Sequence, residues 1–374
     1  MNRPGRNKLN TKHINVVNLY SPSYIHTDEL EYFDATEKDI EKCNVEIGDI
    51  FLTRSSLKVE GIAQANILLG HGVFVFDDHI MRIKLSEEFE PFFVKESLNH
   101  SPTKKEFMTK SKTGTMTTIG QDDISSSNFS FPTLPEQTAI GSFFSTLDNC
   151  IAINQRKYDS LKKLKAAYLQ QMFPQAGERV PRLRFDGFSG EWEDKYLGEL
   201  VTQVVREVPK PDKAYKRLSI RSHAKGTFHQ VVEEPEKVAM DKLYVVHEND
   251  LIVNITFAWE HAIAVAGRED NGLLVSHRFP TFEINKADIN FIRILVSQEE
   301  FRKKMELISP GGAGRNRVLS KGDFVKISLV APSINEQTAV GSFFRSLDDQ
   351  IIVYQDKLNG LKKLKTAYLQ KMFI

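Results

Sequence analysis

Residues Glu136–Phe173 read EQTAIGSFFSTLDNCIAINQRKYDSLKKLKAAYLQQMF, and residues Glu336–Phe373 read EQTAVGSFFRSLDDQIIVYQDKLNGLKKLKTAYLQKMF. The two stretches align without a gap at an offset of 200, and about two-thirds of their positions are identical, which marks an internal duplication. In the first copy Ile140, Phe144, Leu147, Ile151, Asn154, Tyr158, Leu161, Lys165, Tyr168 and Met172 recur at alternating steps of four and three. Val340, Phe344, Leu347, Ile351, Tyr354, Leu358, Leu361, Lys365, Tyr368 and Met372 form the same stripe in the second. A seam of period 3.5 predicts two long helices of coiled-coil type. Each would be a rod of about 50–55 Å, with a stripe too narrow to be stable unless something covers it. Pairing of the two copies is the first reading; the other is that each helix is core for its own domain. Thr133-x-x-Glu136 and Ser333-x-x-Glu336 read as capping boxes at the helix openings.

Away from the helices the duplication is fainter. Val45–Leu52 resembles Val246–Val253, Gly114 with 115–119 sits opposite Gly314 with 315–319, and Pro132 sits opposite Pro332. Short β-branched and aromatic runs such as Gly72–Phe76 and Leu251–Ile255 lie between turn signals. The expected fold class is α+β: two tandem mixed α/β domains separated by two long helices that pair as an antiparallel coiled coil. The expected divisions are 1–133 for the first domain, 134–173 for its helix and 174–190 for a linker opened by Pro174. The second domain follows at 191–332 and its helix at 333–374. The stretch before Val201, with Trp192 and Leu197-Gly198-Glu199-Leu200, has no counterpart in Met1–His13. The first domain therefore reads as shortened at its N-terminal side.

Composition narrows the class. The 374 residues are 26% charged and 41% hydrophobic with a net charge of +1, an ordinary globular mixture without the basic excess of many nucleic-acid binders. Any DNA contact must come from local clusters. No apolar run is long enough to span a membrane, no secretory leader is read at the N-terminus, and Cys43 and Cys150 form neither a metal spacing nor a disulfide framework. A cytoplasmic protein is expected. Phosphate-loop, His-Glu-x-x-His and dinucleotide patterns are missing, Gly311-Gly312-Ala313-Gly314 having neither the spacing nor the lysine. No catalytic residue, metal ligand or cofactor site is expected in the chain.

The helix openings Leu134-Pro135-Glu136-Gln137 and Ile334-Asn335-Glu336-Gln337 carry a resemblance, as do the Leu147-Asp148 and Leu347-Asp348 steps. So do the Leu-Lys-Lys-Leu-Lys cores at 161–165 and 361–365 and the Arg184-Phe185 to Trp192 lead-in. In these, and in its order of domain, helix, domain, helix, the chain resembles the specificity subunits of Type I restriction-modification systems. The resemblance is specific in the helices and weak in the domains. It implies a subunit that is not itself an enzyme, whose two domains each read half of a bipartite target in double-stranded DNA. It implies that the paired helices set the spacing and dock two methyltransferase subunits, and that motor-nuclease subunits join the complex. S-adenosylmethionine and ATP would belong to those partners. The alternative is a coiled-coil scaffold whose domains bind protein, which the near-neutral charge favours.

Candidate DNA contacts follow from side-chain chemistry: Arg can grip guanine bidentately, and Ser, Thr and Lys can hold phosphate. In the first domain these are Arg54, Ser55, Ser56 and Lys58 in a loop after a predicted strand, with Lys110, Lys112, Thr113, Thr115 and Thr117 in a second loop. In the second they are Arg221, His223 and Lys225, and Arg315, Asn316 and Arg317 after a glycine-rich approach. Each cluster also reads as a solvated turn. Trp259 and His261 read as packing residues, and Lys165 and Lys365 as snorkelling from the seam.

Overall fold

The computed structural model describes residues 10–309 and 318–373. The chain divides into two compact units, one of residues 1–160 with 352–374 and the other of residues 161–351. Each unit takes part of both long helices. No helix among the described residues is long and apolar enough to cross a membrane.

The first unit runs β1 (Thr11–Ile14), β2 (Glu31–Tyr32), α1 (Glu37–Cys43), β3 (Ile50–Thr53), β4 (Ser55–Ser56), β5 (Ala65–Ile67), β6 (Val73–Phe76) and β7 (Ile80–Ile83). It continues with α2 (Pro91–Asn99), α3 (Ser101–Lys110), β8 (Lys112–Thr113), β9 (Thr117–Thr118), α4 (Gln121–Ser125) and the long α5 (Leu134–Gln171). Among the described residues three small sheets result, ordered β2-β1-β6, β5-β3-β7 and β4-β9-β8. All four residues of β3 are buried, as expected for a short central strand covered on both faces. Ile50, Leu52, Ile67, Val94, Leu98 and Phe107 close one core between this sheet and the helices.

The second unit runs β10 (Glu193–Tyr196), α6 (Leu197–Leu200), β11 (Val201–Val204), β12 (Glu207–Pro209), β13 (Tyr215–Ile220), β14 (Thr227–Val232), β15 (Lys242–Val245) and β16 (Leu251–Val253). Then come β17 (Ile263–Val265), β18 (Leu274–Val275), β19 (Thr281–Ile284), α7 (Ile289–Ser297), α8 (Glu299–Ile308), α9 (Lys321–Val325), β20 (Ser328–Ala331) and the long α10 (Ile334–Met372). Its sheets are ordered β10-β20, β11-β19-β16-β17 and β12-β15-β18-β13-β14. β16 flanked by β17 and β19 repeats β3 flanked by β5 and β7, with β11 as a further edge strand. The fold is α+β in both units.

Within each unit the long helices pair antiparallel. In the first, Phe143 meets Tyr368 with ring centroids 5.0 Å apart, Phe144 meets Phe373 at 5.8 Å, and Lys365 Nζ donates to Asp148 at 2.7 Å. In the second, Tyr168 meets Phe343 at 5.1 Å, Phe344 meets Phe173 at 6.2 Å, and Lys165 Nζ donates to Asp348 at 2.5 Å. Every one of these contacts maps onto its counterpart through the offset of 200. Ile140, Phe144, Leu147, Leu161, Val340, Phe344, Leu347 and Leu358 are buried, while Ile151, Tyr158, Tyr168, Ile351, Tyr354 and Leu361 are half-buried and Tyr368 is exposed. The seam lysines differ from expectation: they do not snorkel to solvent but pair with the aspartate of the Leu-Asp step in the other copy. A partly desolvated ammonium gains more from a carboxylate at hydrogen-bond distance than from thinly shared water.

The helix-opening motif is explained by packing. Gln137 and Gln337 are buried. Each amide donates to a proline carbonyl, Pro132 or Pro332, at 2.9 Å and accepts at 3.1 Å from the backbone N–H of Glu90 or Asp288. Those two acids are the N-caps of α2 and α7, accepting from Phe93 and Phe291 at 2.6 and 2.8 Å. One turn further along, a Cβ on Gly141 would stand 2.0 Å from Glu90 Oε2, and one on Gly341 2.3 Å from Asp288 Oδ1. Glycine is needed for this close approach. The capping-box expectation is corrected in the second copy: both Glu336 carboxylate oxygens accept from Arg184 at 2.6 Å, and Oε1 also faces the Trp192 indole N–H at 3.4 Å. A buried carboxylate is better satisfied by a bidentate guanidinium than by a single backbone amide.

Candidate nucleic-acid interface

In the first unit the two candidate loops of the sequence become one structure. Ser55 and Ser56 are not a loop but β4, paired with Thr118 and Thr117 of β9. Lys112 and Thr113 are β8, paired with the same two threonines. Arg54 is held at the head of this ribbon by two backbone bonds. Its N–H donates to the His79 carbonyl at 2.7 Å, and its carbonyl accepts from Ile119 at 2.9 Å. The side chains of Arg54, Lys58, Lys112, Thr113 and Thr115 are exposed, and no ion pair engages Arg54, Lys58 or Lys112 among the described residues. A short ribbon so armed can lay cations and hydroxyls along a phosphate chain or present them to base edges.

Arg54, Ser55, His79 and Lys112 border a cleft of about 370 Å³ that also holds Asp78 and Asp123. Ser55 Oγ and His79 Nδ1 are 2.5 Å apart. The carboxylates make the cleft amphoteric: they would repel phosphate yet can accept from an exocyclic base amine. Sequence reading missed His79 and Asp78, which reach the ribbon only because β3 pairs with β7. Lys110 is a different case. It ends α3, and its ammonium is engaged by Glu106 at 2.8 Å, Ser126 at 3.1 Å and Ser127 at 2.8 Å. Thr117 is buried inside the ribbon.

In the second unit Arg221, His223 and Lys225 form the turn between β13 and β14. His223, Ala224 and Gly226 all take positive φ, 62°, 49° and 82°. The strained turn is held by the carbonyls of Glu260 and His261, which accept from the His223 and Ala224 amides at 2.8 Å each, and by Ser222 Oγ donating to Glu260 at 2.6 Å. The Arg221 guanidinium stands 5.1 Å from the Phe228 ring centre and donates to the Thr227 carbonyl, so it is partly spent on its own hairpin. Arg221, His223 and Lys225 are exposed. His261 is buried, its Nε2 is 2.7 Å from the Val296 carbonyl, and burial holds its pKa below the ordinary histidine value. Arg315, Asn316 and Arg317 lie outside the described residues. The described residues on their C-terminal side are anchored where the Leu319 amide donates to the Ile255 carbonyl at 2.8 Å.

Three comparisons bear on this arrangement. Residues 6–163 match the family model of the Type I restriction modification DNA specificity domain. A Methanocaldococcus jannaschii protein named as the type I restriction enzyme MjaX specificity subunit is 21% identical over 362 residues, covering 93% of this chain and 83% of that protein. The crystal structure of a Type I restriction-modification system S subunit from M. genitalium is similar at a TM-score of 0.63 and 14% identity, covering 100% of this chain and 90% of that one; it speaks for the fold. A specificity-domain match on residues 6–163, a relative along nearly the whole length and a duplicated helix pair with recurring contacts point the same way: the chain is similar to the specificity subunits of Type I restriction-modification systems.

Proposed function

We propose that the chain is the sequence-recognition subunit of a Type I restriction-modification complex, not itself catalytic, with each unit reading one half of a bipartite target in duplex DNA. The observation that carries the reading is the convergence of the exposed Arg54, Lys112, Thr113 and Thr115 on one ribbon in the unit that matches the specificity domain. The turn at Arg221–Lys225, with the 315–317 cluster, is the corresponding reader of the second unit. The helix pair, whose aromatic and lysine–aspartate contacts recur in both units, is the surface on which methyltransferase subunits dock. S-adenosylmethionine and ATP are then bound by partner subunits, with the motor-nuclease among them.

The test is to map modified bases in the genome of cells with and without this gene, with the partner methyltransferase present. A split motif of methylated adenines that vanishes on deletion is expected. Unchanged methylation beside a demonstrably active methyltransferase would refute the proposal and favour a protein-binding scaffold. Purified complex should also show DNA affinity that falls steeply with salt, by a log–log slope of about −0.9 per phosphate neutralised.

A further inference from the structure

In the second unit β13 and β14 form a two-stranded antiparallel ribbon, in register from Tyr215 opposite Val232 to Ile220 opposite Thr227. Neither strand carries an acidic residue, whereas Lys216, Arg217 and the following Arg221 are cationic. One face of the ribbon is turned inward. Leu218 and Ile220 belong to a core cluster of this unit, Thr227 Oγ1 donates to the buried Asp270 at 3.0 Å, and His229 Nε2 stands 2.7 Å from the same carboxylate. The Gly267 amide donates to Asp270 at 2.8 Å as well. The inner face thus anchors the ribbon and leaves the outer one for other work.

The outer face brings Arg217, Ser219, Phe228 and Gln230 together, with the Arg221 guanidinium over the Phe228 ring. Gln230 is exposed. Its Oε1 accepts from Arg217 Nη2 at 2.7 Å and from Ser219 Oγ at 3.3 Å. A side-chain amide oxygen has two lone pairs, so both are committed. The Nε2 amino group, a donor of two hydrogens, makes no hydrogen bond among the described residues and faces outward from the ribbon. Arg217 Nε is buried, so the guanidinium that orients the amide is itself held by packing. The amide is therefore set in one orientation before any ligand arrives.

We propose that this outer face reads base edges in the major groove and that Gln230 selects guanine there. The inference rests on the reading of the chain as a DNA-recognition subunit, and adds which side chain sets one base of the second unit's half-site. The major groove, about 12 Å wide, admits a two-stranded ribbon, whose strands lie about 4.8 Å apart. Cations with no carboxylate between them suit its phosphate walls. An unconstrained glutamine reads adenine, accepting from N6 while donating to N7. Gln230 does not accept, because Arg217 and Ser219 already occupy its oxygen. It only donates, and guanine offers two neighbouring acceptors, O6 and N7, with no donor on that edge. Arg217 and Ser219 are positioning residues that fix the amide without touching the base.

The test maps methylated motifs in cells that carry the full chain with its partner methyltransferase, wild type against variants. Gln230→Ala should relax the preference for guanine at one position of one half-site by at least about fivefold, with the other half-site unchanged. Arg217→Met combined with Ser219→Ala frees Oε1, and the same position should then shift from guanine towards adenine, a change of base that a loss of folding does not produce. A wild-type motif that persists unaltered in Gln230→Ala overturns the inference and leaves DNA recognition standing. Relaxation in Gln230→Ala without a gain of adenine in the double variant overturns the donor-only assignment. A wild-type motif with no G·C pair in either half-site overturns the inference without any variant. No gene-dependent motif at all, beside an active methyltransferase, overturns DNA recognition and this inference together.

Discussion

Asp148→Asn separates a structural ion cluster from an ornamental one. In the first unit Lys95 Nζ lies 2.8 Å from Glu96 and 3.0 Å from Asp148, and Lys365 Nζ lies 2.7 Å from Asp148 and 3.1 Å from Glu96. The side chains of Lys95, Glu96 and Asp148 are 5%, 2% and 9% exposed, so two cations and two anions balance almost without water. Burial pushes the Asp148 carboxyl up, but the ammoniums of Lys95 and Lys365 outweigh it and hold the group below the ordinary carboxylate range. Burial would likewise lower Lys95, yet Glu96 and Asp148 hold it above the ordinary lysine value. The depressed acid stabilises the fold above its unfolded pKa of about 3.9 and loses that contribution as pH falls through the lower folded value. The raised lysine contributes below about 10.4 and loses its contribution as pH rises through the higher folded value. Both contributions are whole at pH 7.

Asp148→Asn leaves one buried and one half-buried ammonium facing one carboxylate. Removing one partner of a buried pair costs about 3–5 kcal/mol, which for a unit of this size lowers Tm by about 6–20 °C. The equivalent Asp348→Asn breaks a pair whose side chains are 42% and 27% exposed, and should cost at most about 1 kcal/mol. Hydrogen exchange of α2 at pH 7 reads the first loss locally, and thermal melts read both. Adding Lys365→Met to Asp148→Asn removes one charge of each sign and should cost less than the sum of the single changes by about 1–3 kcal/mol. Equal losses at 148 and 348, or single changes that add within about 0.5 kcal/mol, would refute the reasoning.

Gly341→Ala would set a Cβ 2.8 Å from the Phe291 backbone nitrogen, and overpacking of about 1–3 kcal/mol should exceed the helix-propensity gain of about 1 kcal/mol, lowering the urea midpoint. Arg184→Ala strands the buried Glu336 carboxylate and should cost about 3–5 kcal/mol, seen as a loss of exchange protection in α7 and the opening turn of α10. Lys112→Ala should lower DNA affinity and reduce the salt slope by about one, whereas Lys110→Ala, already engaged by Glu106, should leave the slope nearly unchanged. Arg54→Ala should alter the methylated motif in one half-site and leave the other as it was.

The sequence by itself determined the duplication and both helices, and made their pairing the first reading. Helical period is local information: a stripe from Ile140 to Met172 can be read without knowing what covers it, and its copy from Val340 to Met372 names the partner. Tertiary structure decided what depends on chain crossings. Ser55 and Lys112 sit on one ribbon because β9 lies between β4 and β8, a pairing that neither loop encodes alone. Lys165 and Lys365 read as surface cations until the antiparallel register set an aspartate beside each. Glu136 and Glu336 stand in the same motif, Glu-Gln-Thr-Ala, yet one is exposed and the other buried against Arg184. Identical residues acquire different energies because desolvation and charge partners come from distant segments, and only the folded chain brings those segments within reach.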